Sequence, residues 1–323
     1  MDPFRLDKLG NDILVYLIKF LLLSDLKNFA STNKHFRELS KLDLFRRVTL
    51  DIPHWVDEMR PEQLQTSGLA QYPETLKLRI DARVAVGLPS PKEFRRQLFQ
   101  RLDNLLLKMT KLKTLDLDCA FGFASWSSSF GRDIKPAYQT VHCLKLDLFH
   151  HNKAMLKCFP SVKQLVLCGK SMDHIIKLKP QMIPASLTHI EFWHESELPK
   201  RLTNAINTFT NMSKLVIHIP CGIESNLVQA KQLFEKLQQV QTLREFSIPA
   251  SHLVREDIEV QTPHSDGHRE SVAEYAFRKL PSLCLLQLGL GVDEGEWKYT
   301  IESAQAIRDQ GRPMVGDWTQ WDE

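Results

Sequence analysis

Four groups of side chains have types and spacings that could do chemistry. Gly289-Leu290-Gly291-Val292-Asp293-Glu294-Gly295 has the outline of a dinucleotide loop, where glycines let the backbone approach a pyrophosphate. Glu294 occupies the place of the third glycine and no further strand-helix-strand unit follows, so the segment reads as a turn. His150-His151 with Cys143 or Cys158 offers metal-ligating atoms, but the spacing fits no zinc class and solvated loop histidines are expected. Arg95, Arg96 and Arg101 fall on the wet face of a helix rather than around a phosphate. No nucleophile elbow, phosphate loop or paired-histidine helix occurs, so the expectation is a non-enzyme with no catalytic residue, cofactor or metal. The fourth group is Asp116, Asp118, Lys145, Asp147, His189, Glu191, Trp193 and His218, charges around an aromatic of the kind that anchors a bound protein.

What brings that last group together is a repeat. An apolar residue, two others, an apolar, one other and an apolar recur at Leu112/Leu115/Leu117, Val141/Leu144/Leu146, Val162/Leu165/Leu167, Leu187/Ile190/Phe192, Met212/Leu215/Ile217, Leu243/Phe246/Ile248 and Leu283/Leu286/Leu288. Phe45/Val48/Leu50 fits, and Leu76/Leu78 fits with Pro73 in first place. Nine frames result, separated by as few as 162 − 141 = 21 and as many as 283 − 243 = 40 residues. The fourth and sixth positions share one face of a strand, and the third, fifth and seventh share the other. Helical returns are expected between frames. Ser90-Pro91-Lys92-Glu93 is a capping box leading into Phe94, Leu98, Leu102, Leu105 and Met109, and shorter amphipathic stretches are Leu202/Ile206/Phe209, Leu227/Ala230/Phe234/Leu237 and Val272/Ala276/Leu280. Strand then helix, repeated, means parallel strands.

A solenoid, a barrel and a doubly wound sheet all share that alternation. The latter two cover both strand faces and need continuous apolar runs. Here the second face carries Thr114, Asp116, Asp118, Lys145, Asp147, His189, Glu191, Trp193, Lys214 and His218, residues that want water, so an open α/β leucine-rich-repeat horseshoe over residues 45 to 295 is expected. Its ninth template position, held by Ala120, Phe149, Lys170, Glu195 and Pro220, lacks the asparagine or cysteine frequent in such repeats. On the concave face the fourth group would form a mixed-charge strip for a protein substrate, with a plain solvated sheet face as the other reading. Ala120 to Thr140, with Phe121, Phe123, Trp126 and Phe130, is an aromatic insertion that would cap the array or contact cargo. Residues 296 to 323, with Trp297, Trp318 and Trp321, hold no frame and read as a tail, folded over the last repeat or mobile.

Lys+Arg 42 against Asp+Glu 39 gives a formal charge of +3, which argues against nucleic acid as the main partner. The longest apolar stretch, Ile13 to Leu23, is interrupted by Lys19 and is too short to span a bilayer, so no membrane partner is expected. With no secretory signal and six cysteines free of any C-x-x-C pair (Cys119, Cys143, Cys158, Cys168, Cys221, Cys284), cytoplasm or nucleus is expected, with the thiols as small core residues.

Residues 1 to 44 depart from the strand pattern. Ile13, Leu14, Val15, Leu17, Ile18, Phe20 and Leu21 make a first helix apolar nearly all round, one that must be buried on every side. Ser24-Asp25 opens a second helix with Leu26, Phe29 and Ala30, and a third piece carries His35, Phe36 and Leu39. So short a module cannot cover that much apolar surface alone, which implies a protein partner. Leu9-Gly10-Asn11-Asp12-Ile13-Leu14, Leu17, Leu21, Asp25-Leu26 and Asn33-Lys34-His35-Phe36-Arg37-Glu38-Leu39 resemble an F-box, with Gly10 where that family usually has proline and Phe36 where tryptophan is common. Followed by the leucine-rich body, the chain resembles an F-box/leucine-rich-repeat protein. The resemblance implies a substrate-recognition subunit of a Skp-cullin-F-box ubiquitin ligase. Leu9, Ile13, Leu14, Leu17, Leu21 and Leu26 would contact the Skp adaptor, and through it cullin, while the repeats hold a protein substrate. The alternatives are a helical cap on the first repeat, for the module, and a scaffold without a ubiquitination role, for the chain.

Overall fold

In the computed structural model the described residues are 6, 9–52, 67–80, 91–119, 138–148, 155–168, 183–193, 206–209, 211–218, 228–249, 253–254, 266–289, 296–300 and 307–309. Three helices come first: α1 (Asn11–Ile18), α2 (Leu23–Thr32) and α3 (Lys34–Leu44). Asn33 caps α3, its side-chain oxygen accepting the Phe36 N–H at 2.8 Å. Leu14 and Ile18 of α1, Leu26 and Ala30 of α2 and Phe36 of α3 are buried, and Phe29 stacks on Phe36 with ring centroids 4.3 Å apart. The first helix, expected to include Phe20 and Leu21, ends instead at Ile18, and it is not buried on every side. α3 packs on one flank of α1, and Leu14 and Ile18 are the α1 residues that become buried.

The body is a mixed α/β arrangement built on one open sheet. Its strands are β1 (Arg47–Ile52), β2 (Thr75–Ile80), β3 (Thr114–Cys119), β4 (Cys143–Leu148), β5 (Gln164–Cys168), β6 (His189–Trp193), β7 (Lys214–His218), β8 (Val228–Gln229), β9 (Glu245–Pro249), β10 (Leu253–Val254), β11 (Leu285–Gly289), β12 (Glu296–Thr300) and β13 (Ile307–Asp309). Eleven of them form the sheet in the order β1-β2-β3-β4-β5-β6-β7-β9-β11-β12-β13, while β8 and β10 pair separately. The order never reverses and β1 does not meet β13, so among the described residues there is neither a barrel nor a doubly wound switch point.

The nine strands from β1 to β11 in this sheet are parallel, and each carries one template frame. Leu76, Leu115, Leu144, Leu165, Ile190, Leu215, Phe246 and Leu286 stand opposite one another at the fourth position. These and the sixth-position residues Leu117, Leu167 and Ile217 are at most 1 % exposed.

A backbone device repeats with the frames. The carbonyl at the second template position accepts the N–H groups of the second and third positions of the next frame. Arg46 O takes Glu74 and Thr75, Glu74 O takes Lys113 and Thr114, and the pattern continues through the Lys113, His142, Lys163, Thr188, Ser213 and Arg244 carbonyls.

Helices α4 (Pro91–Lys108), α5 (Ala230–Leu237) and α6 (Asp266–Lys279) fill three returns. They bury Leu98, Leu102 and Leu105, then Phe234 and Leu237, then Val272 and Ala276, in one apolar cluster running from Leu50 to Tyr299. The buried residues of the three-helix module stand apart from that cluster. Tyr138, just before the β4 frame, donates its hydroxyl proton to Asp103 of α4 and stacks on Phe159.

The segment from Glu296 is not simply a tail. β12 pairs antiparallel with β11, placing buried Tyr299 opposite Leu286, and β13 pairs antiparallel with β12. Of the described cysteine side chains only Cys158 is buried; Cys143 and Cys168 are half-buried on the second sheet face and Cys284 is exposed, so the expectation of core thiols holds for one alone. Ala120 with the aromatics 121, 123, 126 and 130, the ninth positions, His150-His151 and residues 290–295 lie outside the described residues.

Candidate functional site

Two surfaces gather the residues singled out above. On the second face of the sheet, strand register forms three rows from the third, fifth and seventh template positions. The fifth-position row runs Lys77, Asp116, Lys145, Val166, Glu191, Val216, Ser247. The seventh-position row runs Asp51, Arg79, Asp118, Asp147, Cys168, Trp193, His218. His189 lies in the third-position row between Gln164 and Lys214. All eight candidate residues therefore share one face.

They do not share one exposure. Asp147 is exposed, while Asp118, Lys145, His189 and Trp193 are half-buried. Asp116 and Glu191 are 2 % and 3 % exposed and His218 is buried as well, against the expectation that these positions face water. Neighbouring strands supply the reason, because the polar groups are covered by one another. Lys145 Nζ sits 3.7 Å from Asp116 Oδ2. Glu191 Oε1 accepts the indole N–H of Trp193 at 2.9 Å and lies 3.0 Å from His218 Nε2, while Gln164 Nε2 approaches Oε2 at 3.5 Å. The Trp193 and His218 rings stack at 4.1 Å and 17°. Trp193 is thus a clamped ring and not a freely exposed one. The open sheet and the buried carboxylates of Asp116 and Glu191 coexist because polar groups with partners tolerate burial.

The electrostatics follow from those partners. Burial pushes the Glu191 carboxyl up, but hydrogen bonding and charge from His218, the Trp193 donor and His189 outweigh it, and the net pKa is lowered. Asp116 goes the other way: desolvation dominates over the attraction of Lys145 and Lys77, and its pKa is raised. Desolvation, with the nearby Lys214 ammonium, pushes His189 down to about 4. Lys214 Nζ in turn meets Glu245 Oε2 at 2.9 Å.

The second surface belongs to the helical module. Ile13 (52 % exposed), Tyr16, Leu17, Phe20 (69 %), Leu21, Leu22 (71 %) and Leu23 are all exposed, and Tyr16 meets Phe20 edge to face at 5.0 Å. Of the adaptor-contact residues implied by the F-box resemblance, Ile13, Leu17 and Leu21 lie on this surface and Leu9 is half-buried. Leu14 and Leu26 point inward and form the module's own core. Val15, Tyr16, Phe20, Leu22 and Leu23 are additional exposed apolar residues, and the unbroken run Phe20-Leu21-Leu22-Leu23 at the helix end was the signal for most of them.

Among the described residues, no three His, Cys, Asp or Glu side chains are grouped to hold a metal ion, and no helix is long and apolar enough to cross a membrane. No family model matches this sequence, and no curated protein matches it.

Proposed function

We propose that the chain is the substrate-recognition subunit of a cullin-RING ubiquitin ligase of the Skp-cullin-F-box type. The three-helix module acts as an F-box that docks on a Skp-family adaptor. The sheet body acts as a leucine-rich-repeat solenoid that holds a protein substrate on its second face. The observation that carries this reading is the apolar surface of α1 and the turn after it, where Ile13, Leu17, Phe20 and Leu22 stand in solvent on a module too small to cover them. Its F-box-like residue pattern names the partner, and the long array behind it suits a receptor. The chain itself performs no bond chemistry in this scheme. It raises the effective concentration of a substrate lysine beside a ubiquitin-loaded enzyme, and the ligase's other subunits supply the transfer. Cytoplasm or nucleus is the compartment in which it would act.

Co-expression with a Skp-family adaptor tests the proposal. The full chain is expected to co-purify with the adaptor, and Ile13→Asp with Leu17→Asp to abolish co-purification. Both side chains are solvent-facing, so the double variant should keep the sheet's thermal transition. Unchanged adaptor capture by that variant would overturn the F-box assignment. Capture that occurs without any bound protein becoming ubiquitinated in a reconstituted ligase would make the chain a scaffold.

A further inference from the structure

We infer that the rim at the N-terminal ends of the middle strands is a docking surface for an acidic segment of a bound protein, centred on Lys111 and Lys163 and the gap at His142. The inference rests on the receptor reading only for calling that protein a substrate. The second template positions of the first five frames show the pattern. Arg46, Glu74, Lys113, His142 and Lys163 follow one another on neighbouring strands, tied by the shared carbonyls. Glu74 sits between two bases, its Oε2 lying 3.1 Å from Lys113 Nζ and 3.4 Å from Arg46 Nε. The Lys113 hydrogen bond and the Arg46 charge hold its carboxyl below the usual range. The next gap has the same span, Lys113 and Lys163 standing two strands or roughly 10 Å apart, but exposed His142 fills it. His142 Nδ1 lies 3.1 Å from Ser161 O, which only accepts, so that nitrogen carries the proton and the ring brings no negative charge. A carboxylate from outside continues the alternation there as Glu74 does one gap earlier.

The bases around this gap lack partners. Among the described residues, the stretches leading into β3 to β7 (105–113, 138–142, 155–163, 183–188 and 211–213) hold five lysines and no acid. Lys108, Lys111, Lys113, Lys157 and Lys163 are all exposed, and all but Lys113 make neither hydrogen bond nor ion pair. The second face of the sheet is organised differently, with Lys145 against Asp116 and Lys214 against Glu245. A place in the last turn of a helix accounts for Lys108 and Lys157, and leaves Lys111 and Lys163 without that role. The class of partner follows from what flanks the charges. Leu107, beside Lys108 at the end of α4, is 50 % exposed and is the one large apolar side chain left exposed among the described residues of the body. A leucine among lysines suits an acidic segment that carries an apolar residue. Single-stranded nucleic acid calls for aromatic rings on which bases stack, and both aromatics beside the lysines, Tyr138 and Phe159, are buried.

The test uses the full chain and the fluorescently labelled peptide acetyl-Glu-Glu-Leu-Glu-Glu-amide, read by anisotropy. Its glutamine counterpart keeps the length and the leucine and removes the charge. The acidic peptide is expected to bind saturably below about 1 mM, and the glutamine peptide about tenfold more weakly. Lys111→Glu and Lys163→Glu should each weaken the acidic peptide about threefold to tenfold, with the body's thermal transition unmoved because neither side chain has a partner to lose. Lys231→Glu, an equal charge change at an exposed position of α5, should stay within about twofold. Equal binding of the two peptides, an unaffected Lys163→Glu variant, or a Lys231→Glu variant weakened as much as Lys163→Glu would each overturn the surface. A strand of about twelve thymidines that binds more tightly than the acidic peptide, and does so through Lys163, would overturn it by making the rim a nucleic-acid site. Adaptor capture is scored on the same preparations. Failure of the rim with capture intact removes only the preference for acidic cargo, and failure of capture with a working rim removes the receptor assignment alone.

Discussion

Leucine does opposite things at the two ends of this molecule. In the sheet body Leu165 and Leu167 have no measurable exposure, while in the helical module Leu17, Leu21 and Leu22 stand in water. The polar residues reverse the pattern, since Asp116 and Glu191 of the body are buried and paired, whereas the one buried polar side chain described in the module is Ser40, whose hydroxyl donates to Phe36 O at 2.7 Å. The difference lies in what each element has to lean on. An interior strand has a neighbour on either side and a cover over its fourth and sixth positions, so its apolar side chains close one continuous core. α1 has α3 along one flank, and its remaining apolar surface stands in solvent. A body with a closed core joined to a module with an open apolar surface is the arrangement the proposed receptor role would need.

Core truncation in the body should separate the two regions most sharply. Leu165→Ala removes a fully buried side chain in the middle of the array and is expected to cost about 2 to 5 kcal/mol, read as a lower denaturant midpoint. The module's exposed Leu22→Ala should shift the midpoint by less than about 0.5 kcal/mol.

Acid should find the body before it finds the module. The folded pKa of His189, about 4, lies below the 6.5 of a free imidazole, so folding favours the neutral ring. Its stabilising contribution is whole above pH 6.5 and is lost as pH falls through 4, on the order of 3 kcal/mol in all. The groups facing it, Lys214, Glu245, Glu191 and His218, set the steepness of that loss. Glu191, with its pKa lowered, acts in the same sense below 4.5; Asp116, with its pKa raised, opposes by favouring folding once protonated. A urea titration repeated between pH 7 and pH 4 should show a falling midpoint that His189→Gln flattens, and an equal fall in the variant would refute the assignment.

A modest gain in stability is expected at the start of α1. Gly10 has φ −63°, the value a proline ring imposes, and a Cβ placed there meets nothing within 4 Å. Gly10→Pro is therefore expected to stabilise the module by about 0.4 to 1 kcal/mol through the unfolded chain, raising its melting temperature without moving the body's transition. A lower module melting temperature would show that the residue before it cannot accept a proline.

The array was legible because its information is local. An apolar pair two residues apart, repeated nine times, identifies strands whatever their partners, and every frame lies on a strand. Glu191 and Asp116 were misread for a related reason. A carboxylate in a strand gives no hint of its burial until the register is known, and it is the register that sets His218 beside Trp193 and Lys145 beside Asp116. Aligning the frames on their seventh positions would have revealed the Trp193–His218 neighbours in advance. β12 escaped because Glu296-Trp297-Lys298-Tyr299-Thr300 alternates like a strand but carries no leucine frame, and it pairs antiparallel, outside the repeat. In the module the apolar composition was plain, yet which of Leu14 and Leu17 faced inward depended on where α1 stopped. That end, at Ile18, carries no glycine or proline to mark it.

The doubled acceptance at each second-position carbonyl has a consequence for how such a chain can change. It sets the alignment of a new strand at its first two peptide groups, before any return loop has a say. The chain goes from residue 141 to 162 in one step and from 243 to 283 in another, yet both steps end with the same rows in line. Loop length is thereby uncoupled from address. A return can be lengthened, shortened or exchanged over evolutionary time while each side chain of the exposed face keeps its coordinates, so the inventory of loops and the pattern on the face are free to diversify separately.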